Sequence, residues 1–161
     1  MADQDADTQL HLAQATLQEL LEKMQVAATV SAAWGEQQAD DDERPLMLDV
    51  QGDDLSILIG RKGETLAALQ YVTRLLVGKQ LSRSPNLIVD VESYRRRRQD
   101  QLRHMAQRIA EQVIQRQRPM SLEPMPPDER RIIHLELRDH PSVRTESIGE
   151  GNRRKVTILP K

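Results

Sequence analysis

Leu55-Ser56-Ile57-Leu58-Ile59-Gly60-Arg61-Lys62-Gly63-Glu64-Thr65-Leu66 joins two helical patterns through a pair of cations framed by glycines. Asp53 and Asp54 suit the positive N-terminus of a short helix over 55–59. Gly60 and Gly63 then break the pattern. Glycine allows a tight turn and lets a phosphate approach the backbone with no Cβ in the way. The helix that follows begins at the loop, so its unpaired N–H groups and the positive end of its dipole face any anion bound there. Arg61 and Lys62 add charge at the same point. By itself a GxxG tetrapeptide is weak evidence, because most such matches are ordinary helix caps or turns. The surrounding elements must decide.

Outward from the loop, a helix over 64–79 is expected, with Leu66, Leu69, Val72 and Leu76 on its apolar stripe. A β-branched strand follows over 87–91. On the other side, Leu46, Leu48 and Val50 alternate with Met47 and Asp49, the period of a half-buried strand. Residues 35–45 form a loop carrying the acidic run Asp40-Asp41-Asp42-Glu43, and residues 26–34 read as a further strand. Asp7 or Thr8 can cap a first helix bearing Leu10, Ala13, Leu17, Leu20, Leu21 and Met24. Residues 1–7 are expected to be a disordered acidic leader. The order over 8–92 is helix, strand, strand, helix, GxxG, helix, strand. With aliphatic residues before the loop and two basic residues inside it, this stretch resembles a type II KH domain. The resemblance implies a three-stranded sheet packed by helices and a clamp on about four nucleotides of single strand. Gly60, Arg61, Lys62 and Gly63 would track the backbone, and Ile57, Ile59 and Leu66 would line an aliphatic groove for bases. The chain has only Trp34, Tyr71 and Tyr94 as aromatics, too few for a base-stacking platform.

The second half reads as a long helix over 93–117, with Leu102, Met105, Ile109 and Val113 as its buried stripe and Ala106, Ala110 and Ile114 beside it. A short strand over 121–123, a proline-stiffened turn, a helix over 128–138 and two strands over 143–148 and 155–159 follow. Arg130 and His134 are four residues apart, so they share a helix face, and Arg138 extends the row. Taken alone, such a stripe reads first as a solvated face, and His134 could equally be the satisfied partner of a nearby carboxylate. Three blocks then occur in order: Glu129-Arg130-Arg131-Ile132-Ile133-His134, Thr145-Glu146-Ser147-Ile148-Gly149-Glu150-Gly151, and Arg153-Arg154-Lys155-Val156. Together they resemble the R-three-H (Arg-x-x-x-His) domain over 93–161, a small αβαββ unit associated with single-stranded nucleic acid. The resemblance implies that Arg130 and His134 hold phosphate, while Arg153, Arg154 and Lys155 add basic surface. The fold class is α+β. Both modules in this order are similar to the Jag (SpoIIIJ-associated) family of bacterial RNA-binding proteins, in a short form without the separate N-terminal Jag domain of longer members.

Charge is split along the chain. Residues 1–45 carry two bases against ten acids, a net of −8, and residues 46–161 carry 21 bases against 15 acids, a net of +6. The basic body suits a polyanion. Arg95-Arg96-Arg97-Arg98 falls in the first turn of the long helix, where cations oppose the dipole. Phosphate attraction explains the run better than helix stability does, although Asp90, Glu92 and Asp100 can neutralise part of it. With no cysteine, neither a disulfide nor a thiolate metal site is possible. His11, His104, His134 and His140 are scattered with no metal-ligand spacing. No Walker motif or nucleophile elbow is present, so a non-enzymatic chain needing no metal or cofactor is expected. No apolar run reaches the roughly 18 residues of a membrane span, and the acidic N-terminus is no signal peptide; a cytoplasmic location is the expectation. The function expected is binding of single-stranded RNA, with single-stranded DNA as an alternative ligand, in post-transcriptional regulation or as an RNA chaperone. An adaptor that pairs with another KH-domain protein is the other function open at this point.

Overall fold

A computed structural model describes residues 2–37, 39 and 42–161. Part of the acidic run, Asp40 and Asp41, and the first leader residue lie outside them. The chain divides into two compact units, 1–95 and 96–161, each described by itself below.

In the first unit, α1 (Ala2–Lys23) is followed by β1 (Thr29–Trp34), β2 (Leu46–Gln51), α2 (Ser56–Ile59), a 3-10 turn at Arg61–Gly63, α3 (Glu64–Leu81) and β3 (Leu87–Val91). The sheet order is β1-β2-β3, with β1 antiparallel and β3 parallel to the central β2. Leu46, Leu48 and Val50 of β2 and Leu87, Val89 and Val91 of β3 alternate inward as the period of two requires. They meet Ala13, Leu17 and Leu21 of α1 and Leu58, Leu66, Leu69 and Val77 of α2 and α3 in one core.

Three details differ from the sequence reading. Helix α1 begins at Ala2, inside the stretch expected to be a disordered leader. Asp5 and Asp7 suit a helix N-terminus, and the Thr8 hydroxyl donates to the Gln4 carbonyl at 2.7 Å. Strand β1 starts at Thr29 rather than Val26, because residues 24–26 bond back onto the end of α1. The Gln18 amide fixes the strand's entry, donating to the Ala28 carbonyl and accepting from the Val30 N–H. The buried stripe of α3 is Leu66, Leu69, Thr73 and Val77, not one through Val72 and Leu76. Thr73 can be buried because its hydroxyl is satisfied by the Leu69 carbonyl at 2.7 Å.

The second unit is built from α4 (Tyr94–Arg116), β4 (Met120–Ser121), α5 (Pro127–Leu137), β5 (Val143–Ile148) and β6 (Lys155–Pro160), with a 3-10 turn at Gly151–Arg153. Its sheet order is β4-β6-β5, all antiparallel. This is an αβαββ unit, as expected. Pro127 occupies the first turn of α5, where a missing N–H costs nothing. The core comprises Leu102, Ala106, Ala110 and Val113 of α4, Ile133 and Leu137 of α5, and Val143, Val156 and Ile158 of the sheet. The expected residues Met105, Ile109 and Ile114 flank this ridge, half-buried.

A largely buried, two-pronged ion pair ties α4 to α5. Arg98 Nε and Nη2 donate to the two carboxylate oxygens of Glu129, each at 2.9 Å. The Arg98 side chain is 21% exposed and that of Glu129 9%. Glu129→Ala would take the carboxylate away from a largely desolvated guanidinium. The expected cost is about 2–4 kcal/mol, somewhat below that of a fully buried pair because part of Arg98 still meets solvent. Urea unfolding checks this; a change under about 0.5 kcal/mol would show the pair to be a surface one.

Candidate nucleic-acid interface

In the first unit the GxxG loop lies on the surface. Gly60 and Arg61 are exposed, Ile59, Lys62 and Gly63 half-buried. The two glycines take φ of +70° and +80°, and Lys62 between them is also left-handed at +53°. Close packing demands glycine as well. A Cβ on Gly60 would sit 2.2 Å from Thr65 Oγ1, and one on Gly63 2.8 Å from the Tyr94 ring. The N-cap of α3 is Gly63, with no side-chain cap bond; the Glu64 N–H donates to the Arg61 carbonyl of the preceding 3-10 turn, and no side chain caps the N–H groups that follow. Glu64, in the first turn, places an acid beside the pair of cations.

The base groove expected from sequence is only partly assembled. Ile57 is exposed, but Leu66 is buried in the core and Ile59 packs against that core. Leu66 therefore cannot touch a base.

The arginine run separates by role. Arg95 donates from Nε to the Val89 carbonyl at 3.0 Å and from Nη2 to Gln70 Oε1 at 2.7 Å, while Gln70 Oε1 also accepts the Val89 N–H. Arg98 is held by Glu129. Arg96 and Arg97 are exposed. Two of the four thus brace the fold, a use that charge counting cannot reveal.

In the second unit, α5 places Arg130 and His134 on one face, and β5 brings Thr145 and Ser147 against the histidine. His134 Nδ1 is hydrogen-bonded to Thr145 Oγ1 at 2.6 Å, and Nε2 to Ser147 Oγ at 2.7 Å. Both ring nitrogens are thereby engaged. Arg130 Nε donates to the Met125 carbonyl at 3.2 Å, and Arg154 Nη1 to the Gly149 carbonyl at 2.8 Å. Burial first, then the positive charges of Arg130 and Arg154, hold the His134 ring below the usual histidine range. A cleft of about 330 Å³ adjoins it, lined by His134, Leu135, Arg138, Arg144, Thr145 and Lys161 among others. Arg153 is exposed and Lys155 half-buried at the hairpin end. Thr65, Tyr94, Thr145 and Ser147 were not singled out individually from sequence; the last two alternate on β5 at the inward period, a signal legible only once α5 is known to cover that face.

An exposed glycine-framed loop between two helices of an α/β unit, followed by a unit built around an Arg-x-x-x-His helix, defines a two-module protein of the KH and R-three-H type. Residues 12–90 match the KH domain of KhpA/KhpB, and residues 100–160 match the R-three-H domain. Both are binding modules rather than catalytic ones. RNA-binding protein KhpB of Clostridium symbiosum is 39% identical over 145 residues, covering 90% of this chain and 63% of that protein. RNA-binding protein KhpB of Bacillus subtilis is 32% identical over 140 residues, covering 86% and 67%. The chain belongs to the KhpB (Jag) family, and spans about two thirds of the length of these relatives. Among the described residues, no helix is long and apolar enough to cross a membrane.

The histidine has a stability consequence. A ring harder to protonate folded than unfolded contributes stability that is complete above about pH 6.5 and declines as pH falls through that value. The melting temperature of the wild type is therefore expected to drop more steeply from about pH 7.5 to about pH 5.5 than that of His134→Gln. Parallel curves for the two proteins would show that His134 titrates as freely folded as unfolded.

Proposed function

We propose that the chain binds single-stranded RNA without catalysing a reaction, with one strand engaged by the GxxG loop of the KH unit and by the basic face of the R-three-H unit. The observation that carries this is the surface loop Gly60–Gly63 leading into α3, whose N-cap Gly63 has no side-chain cap bond, with Arg61 and Lys62 between the two glycines. The name of the relatives, RNA-binding protein, supports the same reading. Arg130, Arg153, Arg154 and Lys155 supply further positive charge, and Arg96 and Arg97 are the exposed members of the arginine run. Two modest sites on one chain raise affinity through effective concentration. The role that fits is a cytoplasmic post-transcriptional regulator or RNA chaperone. Arg61→Asp with Lys62→Asp should weaken binding of a labelled single-stranded RNA by about 100-fold, two charge-assisted contacts being lost and repulsion gained, while circular dichroism stays unchanged. For the wild type, log K should fall with log salt at a slope near about −2 if roughly three phosphates are neutralised on a single strand. Unaltered binding by the folded double variant would refute the loop's role.

A second reading rests on α3. Tyr71, Val72, Leu75 and Leu76 are 40 to 60% exposed along one side of the helix, with Ala67 and Ala68 exposed beside them. A contiguous apolar patch of this kind marks a protein interface, and it favours pairing with another KH-domain protein. The Ala- and Leu-rich first helix puts Ala13, Leu17 and Leu21 in the core instead. Val72→Asp with Leu75→Glu should abolish pairing with a KhpA-type partner in sedimentation velocity and leave the fold intact. Failure of the wild type to pair at tens of micromolar would remove this reading.

A further inference from the structure

We infer that the phosphate-contacting groups at the centre of the R-three-H unit are the hydroxyls of Thr145 and Ser147, and that His134 acts as a positioning residue that aims them. The inference deepens the RNA-binding reading and rests on it. Its starting point is the hydrogen-bond inventory of the ring. Both His134 nitrogens already have hydroxyl partners, at 2.6 and 2.7 Å. To hold a phosphate itself, the imidazole would have to give up one of these bonds.

A neutral imidazole offers one N–H and one lone pair. It therefore donates to one hydroxyl and accepts from the other. The hydroxyl that accepts from the ring keeps its own O–H to point elsewhere; the hydroxyl that donates to the ring does not. In this state one O–H is available to an external acceptor. A second proton on the ring makes both nitrogens donors. Both hydroxyls then accept from the ring, and both can direct O–H outward. Two O–H donors beside a new positive charge match a phosphodiester, which offers only acceptors. Phosphate binding and protonation of His134 are therefore coupled, each favouring the other.

The surroundings suit an anion. On α5, Arg130 and Arg138 lie one turn to either side of His134. Arg154 approaches from the turn before β6 and, with Arg130, disfavours the charged ring in the free chain. Arg144 and Lys161 line the cleft shared by His134 and Thr145. Two of these cations have acidic neighbours, Arg144 in Glu146 and Arg138 in Asp139 at 3.9 Å, whereas Arg130 and Arg154 bond backbone carbonyls; Glu136 lies 3.9 Å from Arg103. On β6, the residues opposite Thr145 and Ser147 are Ile158 and Val156, both buried and apolar. A bound phosphate would meet the Arg130 and Arg154 charges that now oppose ring protonation, and would offset part of their effect on His134.

The test uses the whole chain, a fluorescein-labelled single-stranded RNA, and anisotropy at fixed salt from about pH 8 to about pH 5.5, a range spanning the ordinary histidine titration. Wild-type affinity should rise as pH falls. Thr145→Val with Ser147→Ala should bind about tenfold more weakly near about pH 6, the scale of one to two lost hydrogen bonds to a charged acceptor, and should show a smaller rise with acidity. His134→Gln, which cannot take up a second proton, should lose most of the acid enhancement of binding. Independently of the variants, the His134 ring followed by NMR should titrate at higher pH when RNA is bound than in the free chain. An unshifted His134 titration, or wild-type binding by the folded Thr145→Val, Ser147→Ala chain at every pH, would overturn the inference while leaving RNA binding in place. A wild-type chain that binds no RNA would overturn both.

Discussion

At Gly60 a side chain would bring its Cβ within 2.2 Å of Thr65 Oγ1, and at Gly63 within 2.8 Å of the Tyr94 ring. Both positions also hold φ in the left-handed region, so non-glycine residues would meet strain and collision together. Everything the first unit offers a ligand follows from this. The chain must leave α2, turn within a few residues and enter α3 at Gly63 with no side-chain cap. The core lies directly behind: Leu58 and Leu66, on either side of the loop, are buried in it. The loop is thus a short exposed bridge between two anchored helices, which keeps its backbone donors arranged before any ligand arrives.

Charge in this protein serves two purposes that a count does not separate. Arg95 and Arg98 sit in the same run of four, yet one is threaded between the Val89 carbonyl and Gln70 and the other is clamped by Glu129. Each replaces water with fixed acceptors and holds elements together. Among the described residues, Arg130 and Arg154 bond backbone carbonyls rather than carboxylates, which leaves their charge uncompensated at His134. The charge beside His134 is therefore positive, although the total is slightly negative for the chain as a whole.

The two candidate surfaces of the KH unit differ in chemistry because α2 and α3 present different faces. The loop end of α3 is polar and basic. Its flank, through Tyr71, Val72, Leu75 and Leu76, is apolar and uncovered in the isolated chain. Polyanion binding depends strongly on salt, and burial of such a flank does not. The two surfaces can therefore be weighed separately by ionic strength.

The amino-acid sequence by itself determined the element order, the αβαββ second unit, the glycine loop and the family, because period-two strands, glycine breaks and ordered motif blocks are local signals. It also placed Arg130 and His134 on one helix face, since a spacing of four is enough for that. The tertiary structure alone decided which side of α3 is buried. Thr73 enters the core because the Leu69 carbonyl satisfies its hydroxyl, and two apolar neighbours are left outside. It likewise decided that Arg95 and Arg98 are structural and that Thr145 and Ser147 engage both nitrogens of His134. Those facts depend on partners 11 to 31 residues away in the chain, and no local pattern encodes a contact that exists only after the elements have packed.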